Sequence, residues 1–396
     1  MPLGLYLSVP FCRTKCTYCN FASDVFSKVI FDRYVDRLCH DLNQAEETAS
    51  RMGGCFDRAV DSIYLGGGTP TLLDITQLQR IFVTISQNFQ VLSQAEITVE
   101  CAPGTLNSAM MEVLQNCQVN RVSLGVQSFV DEEAASVGRL HRRETVLADL
   151  VRLRGAGITN FSIDLIAGLP HQTRASWDFS LNELIAASPP HVSVYMLEVD
   201  EDSRLGRELI AGGARYHAHM VPDEDLTAEL YSVACERLEA AGLHQYEISN
   251  FARPGFESRH NLKYWNREPY LGFGVDAHSM LPTTTGGVEA VRFSTSDSLE
   301  AYISESDVHR TLVDRRAALE ETFFLGLRLT RGVDLQEVSA RFGQKAVAEF
   351  SSVIAELVSI GLLQQLGSVI CLTAQGRLLS NEVFEKFIAQ AEPSRL

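Results

Sequence analysis

Short apolar runs alternate with helical patterns over the first 200 residues of this 396-residue chain. Between the runs, apolar residues recur at spacings of three and four, as at Phe31, Val35 and Leu38, which marks one face of a helix. The runs predict six strands at residues 3–9, 60–65, 96–100, 121–125, 161–166 and 192–197. Six β-α repeats in a row predict a parallel sheet, either open or curled into part of a barrel.

The second half of the chain has a different pattern. Residues 206–222 predict a loop, 223–241 a helix, and 244–295 are rich in glycine and aromatic residues with little period. From about residue 313, helices are predicted at 319–329, 346–360 and 374–389, with a strand at 369–373. Helices with a short hairpin resemble a small winged-helix arrangement. We therefore predict a barrel at 1–240, a connecting segment at 241–312, and a mainly helical, winged-helix-like domain at 313–396.

The charge of the chain excludes some classes of function. Acidic residues outnumber basic ones by 50 to 34, so the net charge of −16 gives no global attraction for nucleic acid. The predicted C-terminal domain has nine basic and ten acidic residues, which predicts a lid or packing role instead of DNA binding. No apolar run is long enough to span a bilayer, and the first residues do not resemble a secretory signal. We therefore expect a cytoplasmic protein.

Three of the nine cysteines form a cluster. An odd count of cysteines and the absence of a signal peptide argue against a disulfide framework. We expect the six scattered cysteines to be small residues of the core. Cys12, Cys16 and Cys19 have the spacing Cys-x3-Cys-x2-Cys in the loop after the first predicted strand. Three thiolates in one loop can hold three irons of a [4Fe–4S] cluster and leave the fourth iron open to a small molecule. A zinc site would need a fourth ligand, and no Cys or His follows at zinc-finger spacing.

This triplet after a first strand resembles the hallmark of the radical S-adenosylmethionine superfamily. The resemblance implies a partial (β/α)6 barrel in which the amino and carboxylate groups of the methionine moiety chelate the open iron. It also implies that one electron from the cluster cleaves the sulfonium to give a 5′-deoxyadenosyl radical.

Polar and glycine-rich residues follow the other predicted strands. The stretch 66–70, Gly-Gly-Gly-Thr-Pro, is typical of a tight turn or of a backbone that exposes N–H groups to a ligand. Glu100 ends the third predicted strand, Gln127 follows the fourth, and Asp164 lies within the fifth. Arg139 lies in the stretch Gly-Arg-Leu-His. Each alone fits ordinary capping or solvation, whereas together they could surround a ribose and an adenine.

The stretches around these residues resemble the oxygen-independent coproporphyrinogen III oxidase family, and most of all its subgroup of HemW heme chaperones, from Tyr6 to the stretch 372–379. Carried over residue by residue, the resemblance implies contacts to S-adenosylmethionine by Tyr6, Tyr18, Gly67, Gly68, Thr69, Glu100, Gln127, Arg139 and Asp164.

Two features separate the functions that the resemblance leaves open. The oxidases carry a further cysteine two positions after the third ligand, where this chain has Phe21. The stretch 260–265, His-Asn-Leu-Lys-Tyr-Trp, resembles a motif of the heme chaperones in which the histidine is implicated in heme binding. An equally good reading gives a structural role to His260, Tyr264 and Trp265. We expect ordinary loop residues at His217 and His219.

The expected function is a heme-binding chaperone with a [4Fe–4S] cluster and S-adenosylmethionine, which hands heme to an acceptor protein. An electron donor such as flavodoxin or ferredoxin would reduce its cluster. The alternative is anaerobic oxidation of coproporphyrinogen III, and a third possibility is radical chemistry on another tetrapyrrole, such as heme degradation.

Overall fold

The computed structural model describes residues 1–304 and 308–388. The strands are β1 Leu3–Val9, β2 Ala59–Gly67, β3 Gln90–Cys101, β4 Arg121–Gln127, β5 Asn160–Ala167, β6 His191–Met196, β7 His244–Gln245, β8 Asn250–Ala252, β9 Tyr270–Gly274, β10 His278–Pro282, β11 Val288–Ser294, β12 His309–Asp314, β13 Val333–Asp334, β14 Leu363–Leu366 and β15 Val369–Leu372. The helices are α1 Val29–Asn43, α2 Ala45–Met52, α3 Ile75–Asn88, α4 Ser108–Asn116, α5 Asp131–Ser136, α6 Arg143–Gly155, α7 Arg174–Ala187, α8 Arg204–Ile210, α9 Glu224–Ala240, α10 Arg259–Trp265, α11 Leu299–Ile303, α12 Arg315–Gly326, α13 Leu335–Phe342, α14 Gln344–Ala348, α15 Ser351–Ser359, α16 Ala374–Leu378 and α17 Ser380–Glu385. Short 3₁₀ helices lie at Pro70–Leu72 and Arg215–Met220.

The predicted parallel sheet is confirmed. Strands β1 to β6 pair in chain order, each parallel to the next, within the sheet β12-β11-β10-β9-β1-β2-β3-β4-β5-β6-β8-β7. The loop after β6 meets the loop after β1, where Asn20 donates to Asp200 at 3.1 Å and the N–H of Leu205 donates to Thr17 O at 2.9 Å. In the described chain, β1 pairs with β2 and β9 and β6 with β5 and β8, so the barrel stays partial.

Alternation along the strands separates an apolar outside from a polar lumen. On β1, Leu3, Leu5 and Leu7 are fully buried in the core that the surrounding helices cover. Tyr6 points the other way and lies opposite Tyr64 of β2. Because side chains of a strand alternate between its faces, each strand puts every second residue into the lumen.

The helices begin and pack as their sequence predicts. On α1 the residues at spacings of three and four, Phe31, Val35 and Leu38, are buried against the sheet. Helix α3 begins with a capping box, since the Asp74 side chain accepts from the N–H of Gln77, whose side chain accepts from the N–H of Asp74.

The connecting segment predicted at 241–312 is not a loose linker. It contains β7 and β8, which extend the sheet beyond β6, and β9, β10 and β11, which extend it beyond β1. Residues 206–222, predicted as a loop, contain α8 and a 3₁₀ helix. These elements are two to seven residues long and several pair antiparallel, so no periodic pattern can build up along them.

The C-terminal module has its own apolar core and a small sheet of order β13-β15-β14. Strand β15 forms the predicted hairpin with β14, and the helices predicted at 346–360 and 374–389 are each divided, into α14 and α15 and into α16 and α17. Residues 389–396, including the predicted end of the last helix, lie outside the described part of the chain.

Buried ions join the module to the sheet. Glu321 of α12 accepts from Arg267 at 2.8 Å and pairs with Arg292 of β11 at 3.1 Å. Across the described residues, no helix is both long enough and apolar enough to cross a membrane.

Candidate functional site

The carboxyl ends of β1 to β6 open into a cavity of about 770 Å³. All but two of the residues predicted to bind the cluster or the cofactor line it: Cys12, Cys16, Cys19, Tyr18, Gly67, Gly68, Thr69, Glu100, Gln127, Arg139 and Asp164. Tyr6 and His260 lie elsewhere. Parallel strands bring their carboxyl ends to one edge, which is why residues spread over 150 positions meet here.

The loop that carries the three cysteines is held at both ends. The N–H of Cys12 donates to Asp24 O at 3.0 Å, and the N–H of Thr17 donates to Val137 O at 3.2 Å. Burial raises the pKa of the Cys12 and Cys19 thiols, so a metal would have to stabilise their thiolates. Where side chains are described, no three of His, Cys, Asp and Glu are already grouped around a position for a single metal ion. A [4Fe–4S] cluster needs no such grouping, because each thiolate binds a different iron.

The glycine turn after β2 uses backbone N–H groups for hydrogen bonds within the protein. Gly67 has φ +95°, which favours glycine, and a Cβ on Gly68 would lie 2.6 Å from Phe11 O. The N–H of Gly68 donates to Val9 O and the N–H of Thr69 to Phe11 O, while the N–H of Gly67 bonds the Glu100 carboxyl. The N–H groups of Gly68 and Thr69 therefore tie the turn to the end of β1 and to the start of the cysteine loop. Contact of Gly67, Gly68 and Thr69 with S-adenosylmethionine stays a prediction.

Two half-buried carboxyls face the lumen, Glu100 near the end of β3 and Asp164 in β5. Tyr64 donates to Glu100 at 2.7 Å, and burial, together with the charge of Asp164, raises the pKa of Glu100 to about 7. Asp164 accepts from Ser123 at 3.0 Å and from Ser162 at 3.1 Å, and burial raises its pKa as well. The negative charge of these two carboxyls is not fully balanced by neighbouring cations, which favours a cationic ligand. The sulfonium group of S-adenosylmethionine is such a cation.

Gln127, Arg139 and Tyr18 complete this wall. Gln127 has φ +67° and interrupts the pairing of β4 with β5, which re-aims its side chain into the cavity. Arg139 donates to the Tyr18 hydroxyl at 3.3 Å. Gln127 Oε1 and Arg139 Nε are buried and have no hydrogen-bond partner among the described residues. Buried polar atoms without partners are rare in a folded protein, so this set fits a polar ligand such as a nucleoside.

Tyr6 lies beside a second cavity of about 270 Å³, which is also lined by Tyr264, Tyr270 and His278. Gly67 borders both cavities. The expected contact of Tyr6 with S-adenosylmethionine stays a prediction, and its ring lies next to Tyr64, which bonds Glu100 in the larger cavity.

His260 is at the floor of the barrel, at the start of α10. It is 1% exposed, and its Nδ1 lies 3.0 Å from Ser62 Oγ and its Nε2 2.8 Å from the Tyr264 hydroxyl. Burial, with the nearby charge of Lys263, lowers its pKa to about 3, so the ring is neutral at physiological pH. The heme contact predicted for His260 stays a prediction, and it would require exchange of one of these hydrogen bonds.

Sequence reasoning missed several residues that line or support the cavity. Tyr64, Ser123 and Ser162 hold the two carboxyls, His141 bonds Val126 O at 3.1 Å, and Arg328 reaches the cavity from the C-terminal module. Tyr64, Ser123 and Ser162 lie at even spacings from glycine or polar residues at the strand ends, so period-two alternation could have identified them. No local signal points to Arg328.

Comparisons with known proteins agree with this fold. A family model described as the radical SAM superfamily matches residues 6–184, and one described as the HemN C-terminal domain matches residues 313–379. The chain is 35% identical over 387 residues to the heme chaperone HemW of Bacillus subtilis, covering 97% of this chain and 99% of the relative. It is 31% identical over 394 residues to the heme chaperone HemW of Escherichia coli, covering 98% and 99%.

A solved structure of coproporphyrinogen III oxidase (HemN) from Escherichia coli, described as a radical SAM enzyme, is similar over 98% of this chain and 90% of that one. Its TM-score is 0.82 and its sequence identity 25%. The fold and the cysteine loop therefore define a radical SAM protein, a class that implies a [4Fe–4S] cluster and S-adenosylmethionine. Within that class, the similarity over nearly its whole length shows that the chain belongs to the HemW family.

Proposed function

We propose that this protein binds heme and hands it to an acceptor protein, and that it carries a [4Fe–4S] cluster and S-adenosylmethionine. The observation that carries the proposal is the similarity to proteins named heme chaperones over almost the whole of both chains. Phe21 supports it, because this position holds a side chain that is 61% exposed and without a thiol, where the oxidases have a cysteine.

The residues at the mouth of the barrel would hold the cofactors. Cys12, Cys16 and Cys19 would bind three irons, and the polar residues at the ends of β2 to β5 would bind S-adenosylmethionine. When bound, the reduced cluster supplies one electron to cleave the sulfonium of S-adenosylmethionine.

The chain's own groups would orient and shield that reaction. Tyr64 and the N–H of Gly67 hold the Glu100 carboxyl in one position, and Ser123 and Ser162 do the same for Asp164. Both carboxyls are half-buried in the mouth of the barrel, so water screens their attraction to a cation less than it would on an open surface.

Heme contact by His260 is the part of the proposal that needs a structural change. Its Nε2 faces Tyr264, and Tyr264 lines the smaller cavity. Displacement of the Tyr264 hydroxyl would free a neutral ring nitrogen of His260, which could then ligate heme iron.

The surface beside the cysteine loop suits a small acidic electron donor such as flavodoxin or ferredoxin. Phe21, Val25 and Val29 are 61%, 55% and 81% exposed, and the exposed cations Arg13 and Lys28 flank them. On a chain of net charge −16, cations placed here would attract an acidic partner to the point nearest the cluster. Arg13→Glu should slow reduction of the cluster by such a donor and leave reduction by dithionite unchanged.

We propose that the protein is located in the cytoplasm.

One experiment separates heme transfer from its alternatives. Protein reconstituted without oxygen is incubated with coproporphyrinogen III, S-adenosylmethionine and reductant, and the same preparation is then titrated with heme. We expect no protoporphyrinogen and saturable uptake of heme. Formation of protoporphyrinogen would make the protein an oxidase like its structural neighbour. Loss of the heme absorbance band in the presence of reductant and S-adenosylmethionine would instead indicate chemistry on heme.

A further inference from the structure

Arg328 reaches the larger cavity from the wall formed by the C-terminal module. It follows α12, its side chain is 24% exposed, and it lines the cavity together with Ser249 and Tyr195 of the β6–β8 side. The cysteines come instead from the loop after β1. Arg328 therefore places a cation on the wall of the cavity opposite in origin to the cysteine loop, and this wall carries none of the predicted cluster ligands.

Two neighbours, Glu247 and Trp265, hold the guanidinium in place. Arg328 Nη2 lies 3.4 Å from Glu247 Oε2, and the guanidinium carbon lies 4.2 Å from the centre of the Trp265 ring. Glu247 is itself buried, and its other oxygen accepts from the N–H of Ser249 at 2.8 Å. A bridge between Leu329 and Glu247 fixes the backbone at the same point. A side chain stacked and paired in this way loses little freedom when it binds a ligand.

Most hydrogen-bond donors of this arginine are unused. A guanidinium has five N–H donors, and the structure gives Arg328 one bond, to Glu247. Its Nε is buried without a partner in the described part of the chain, and so is the indole nitrogen of Trp265. Glu198 and Asp200 also line the cavity, so an anionic ligand would be attracted on this side at Arg328 alone.

We propose that Arg328 is the carboxylate-binding residue of the larger cavity and that it pairs with a propionate of a tetrapyrrole. The inference rests on the proposed function and adds a specificity residue to it. A guanidinium matches the two oxygens of a carboxylate, and stacking on an aromatic ring leaves its edge free for that pairing. Trp265 then has a role other than contact with heme, because its ring positions Arg328. It lies on helix α10, which also carries His260.

Esterified ligands test the proposal directly. Binding of heme and of heme dimethyl ester, in which both propionates are blocked, is measured on the full reconstituted protein. The unmodified protein should bind heme about tenfold to a hundredfold more tightly than the ester, as expected for a charged hydrogen-bonded pair. Arg328→Gln should weaken heme binding by that factor and leave ester binding unchanged, and Arg328→Lys should retain part of the preference.

Arg331→Gln is the matched control. This arginine lies three residues further on and pairs with Asn266, so the ratio of heme to ester affinity should not change. Iron content and thermal unfolding of each variant show whether the fold is intact. If Arg328→Gln keeps the preference for heme, or weakens heme and ester equally, the proposal is wrong.

The same comparison with coproporphyrin III and its tetramethyl ester separates this inference from the proposed function. If heme is not bound but coproporphyrin III is, with a preference that Arg328→Gln removes, the chaperone function fails and the carboxylate site stands. If neither tetrapyrrole binds, both are overturned.

Discussion

The mouth and the floor of the barrel lumen are built from the same strands, yet their polar side chains are satisfied to different degrees. At the floor, His260 is bonded to Ser62 and Tyr264. His191 repeats the arrangement, with its ring nitrogens 2.8 Å from Ser162 Oγ and 2.9 Å from the Tyr246 hydroxyl. Burial lowers the pKa of both histidines.

At the mouth, by contrast, Gln127 and Arg139 keep buried atoms without partners in the described structure, and the Glu100 carboxyl takes up a proton near neutral pH. A polar network that is complete makes the protein rigid, whereas one that is incomplete is ready for a ligand. The comparison teaches that burial of a polar residue does not by itself mark a binding site. Arg121, at the floor end of β4, also has a buried Nε without a partner among the described residues. A missing partner therefore marks a site only where the residue also lines a cavity, as Gln127 and Arg139 do.

The largest expected effect is at the mouth. Cys16→Ala removes one of three cluster ligands, so iron bound after anaerobic reconstitution should fall from about four atoms per chain to nearly none. Iron analysis and the visible absorbance of the cluster measure this. Cys55→Ala is the control, because Cys55 is exposed and does not line either of the two cavities described above. Unchanged iron content in Cys16→Ala would show that the ligand assignment is wrong.

The next effect is at the floor. His260→Ala leaves Ser62 and Tyr264 without partners and creates a cavity, so the free energy of unfolding should fall by about 2–4 kcal/mol. Urea unfolding measures it, and His191→Ala should give a loss of similar size because the surroundings are alike. If His260→Ala left stability unchanged, the two hydrogen bonds of the ring would not stabilise the floor and the comparison would fail. Weaker heme binding by the same variant is expected from the proposed contact.

Glu100 predicts a pH dependence of stability at the mouth. Its pKa is raised from 4.5 to about 7, so the native state keeps a proton that the unfolded state has already released. Between these pH values, stability of the cofactor-free protein therefore falls as pH rises. Glu100→Gln removes this loss, and should be more stable than the unmodified protein by about 1–2 kcal/mol at pH 8, after a discount for partial exposure.

The gain from Glu100→Gln should shrink as pH falls toward 4.5 and disappear well below it, where the carboxyl is protonated in both states. Unfolding at pH 5 and pH 8 measures this, with Glu112→Gln on the exposed face of α4 as the control. An equal effect at both pH values would mean that the carboxyl is not perturbed. The same variant should bind S-adenosylmethionine more weakly, because a charge that pairs with the sulfonium is lost.

The smallest effect is expected from Tyr264→Phe. It removes one hydroxyl from the floor and should lower the free energy of unfolding by about 1 kcal/mol. If His260 Nε2 ligates heme iron as proposed, this change removes its competitor, so heme affinity measured by titration should stay equal or increase. A marked loss of heme affinity would show that the hydroxyl, and not the imidazole, is the group that contacts heme.

Local pattern was sufficient for the parallel core and for most of the site. The strand ends at Glu100, Gln127 and Asp164 could be located because buried parallel strands are continuous apolar runs and their carboxyl ends must meet. The cysteine spacing is a local feature of one loop. The short strands β7 to β11 were not predictable, because they are held by their neighbours in the sheet and not by their own sequence.

By itself, the sequence determined that the chain has a parallel β-α core, a cluster of three cysteines after its first strand, and a set of polar residues at the strand ends. Only the tertiary structure decided that His260 is enclosed by two hydrogen bonds, that Gly68 and Thr69 use their amides internally, and that Arg328 reaches the cavity from the C-terminal module. The physical reason is that spacing along a chain specifies chemistry within one element. Whether a polar atom is satisfied depends on partners that come from distant elements.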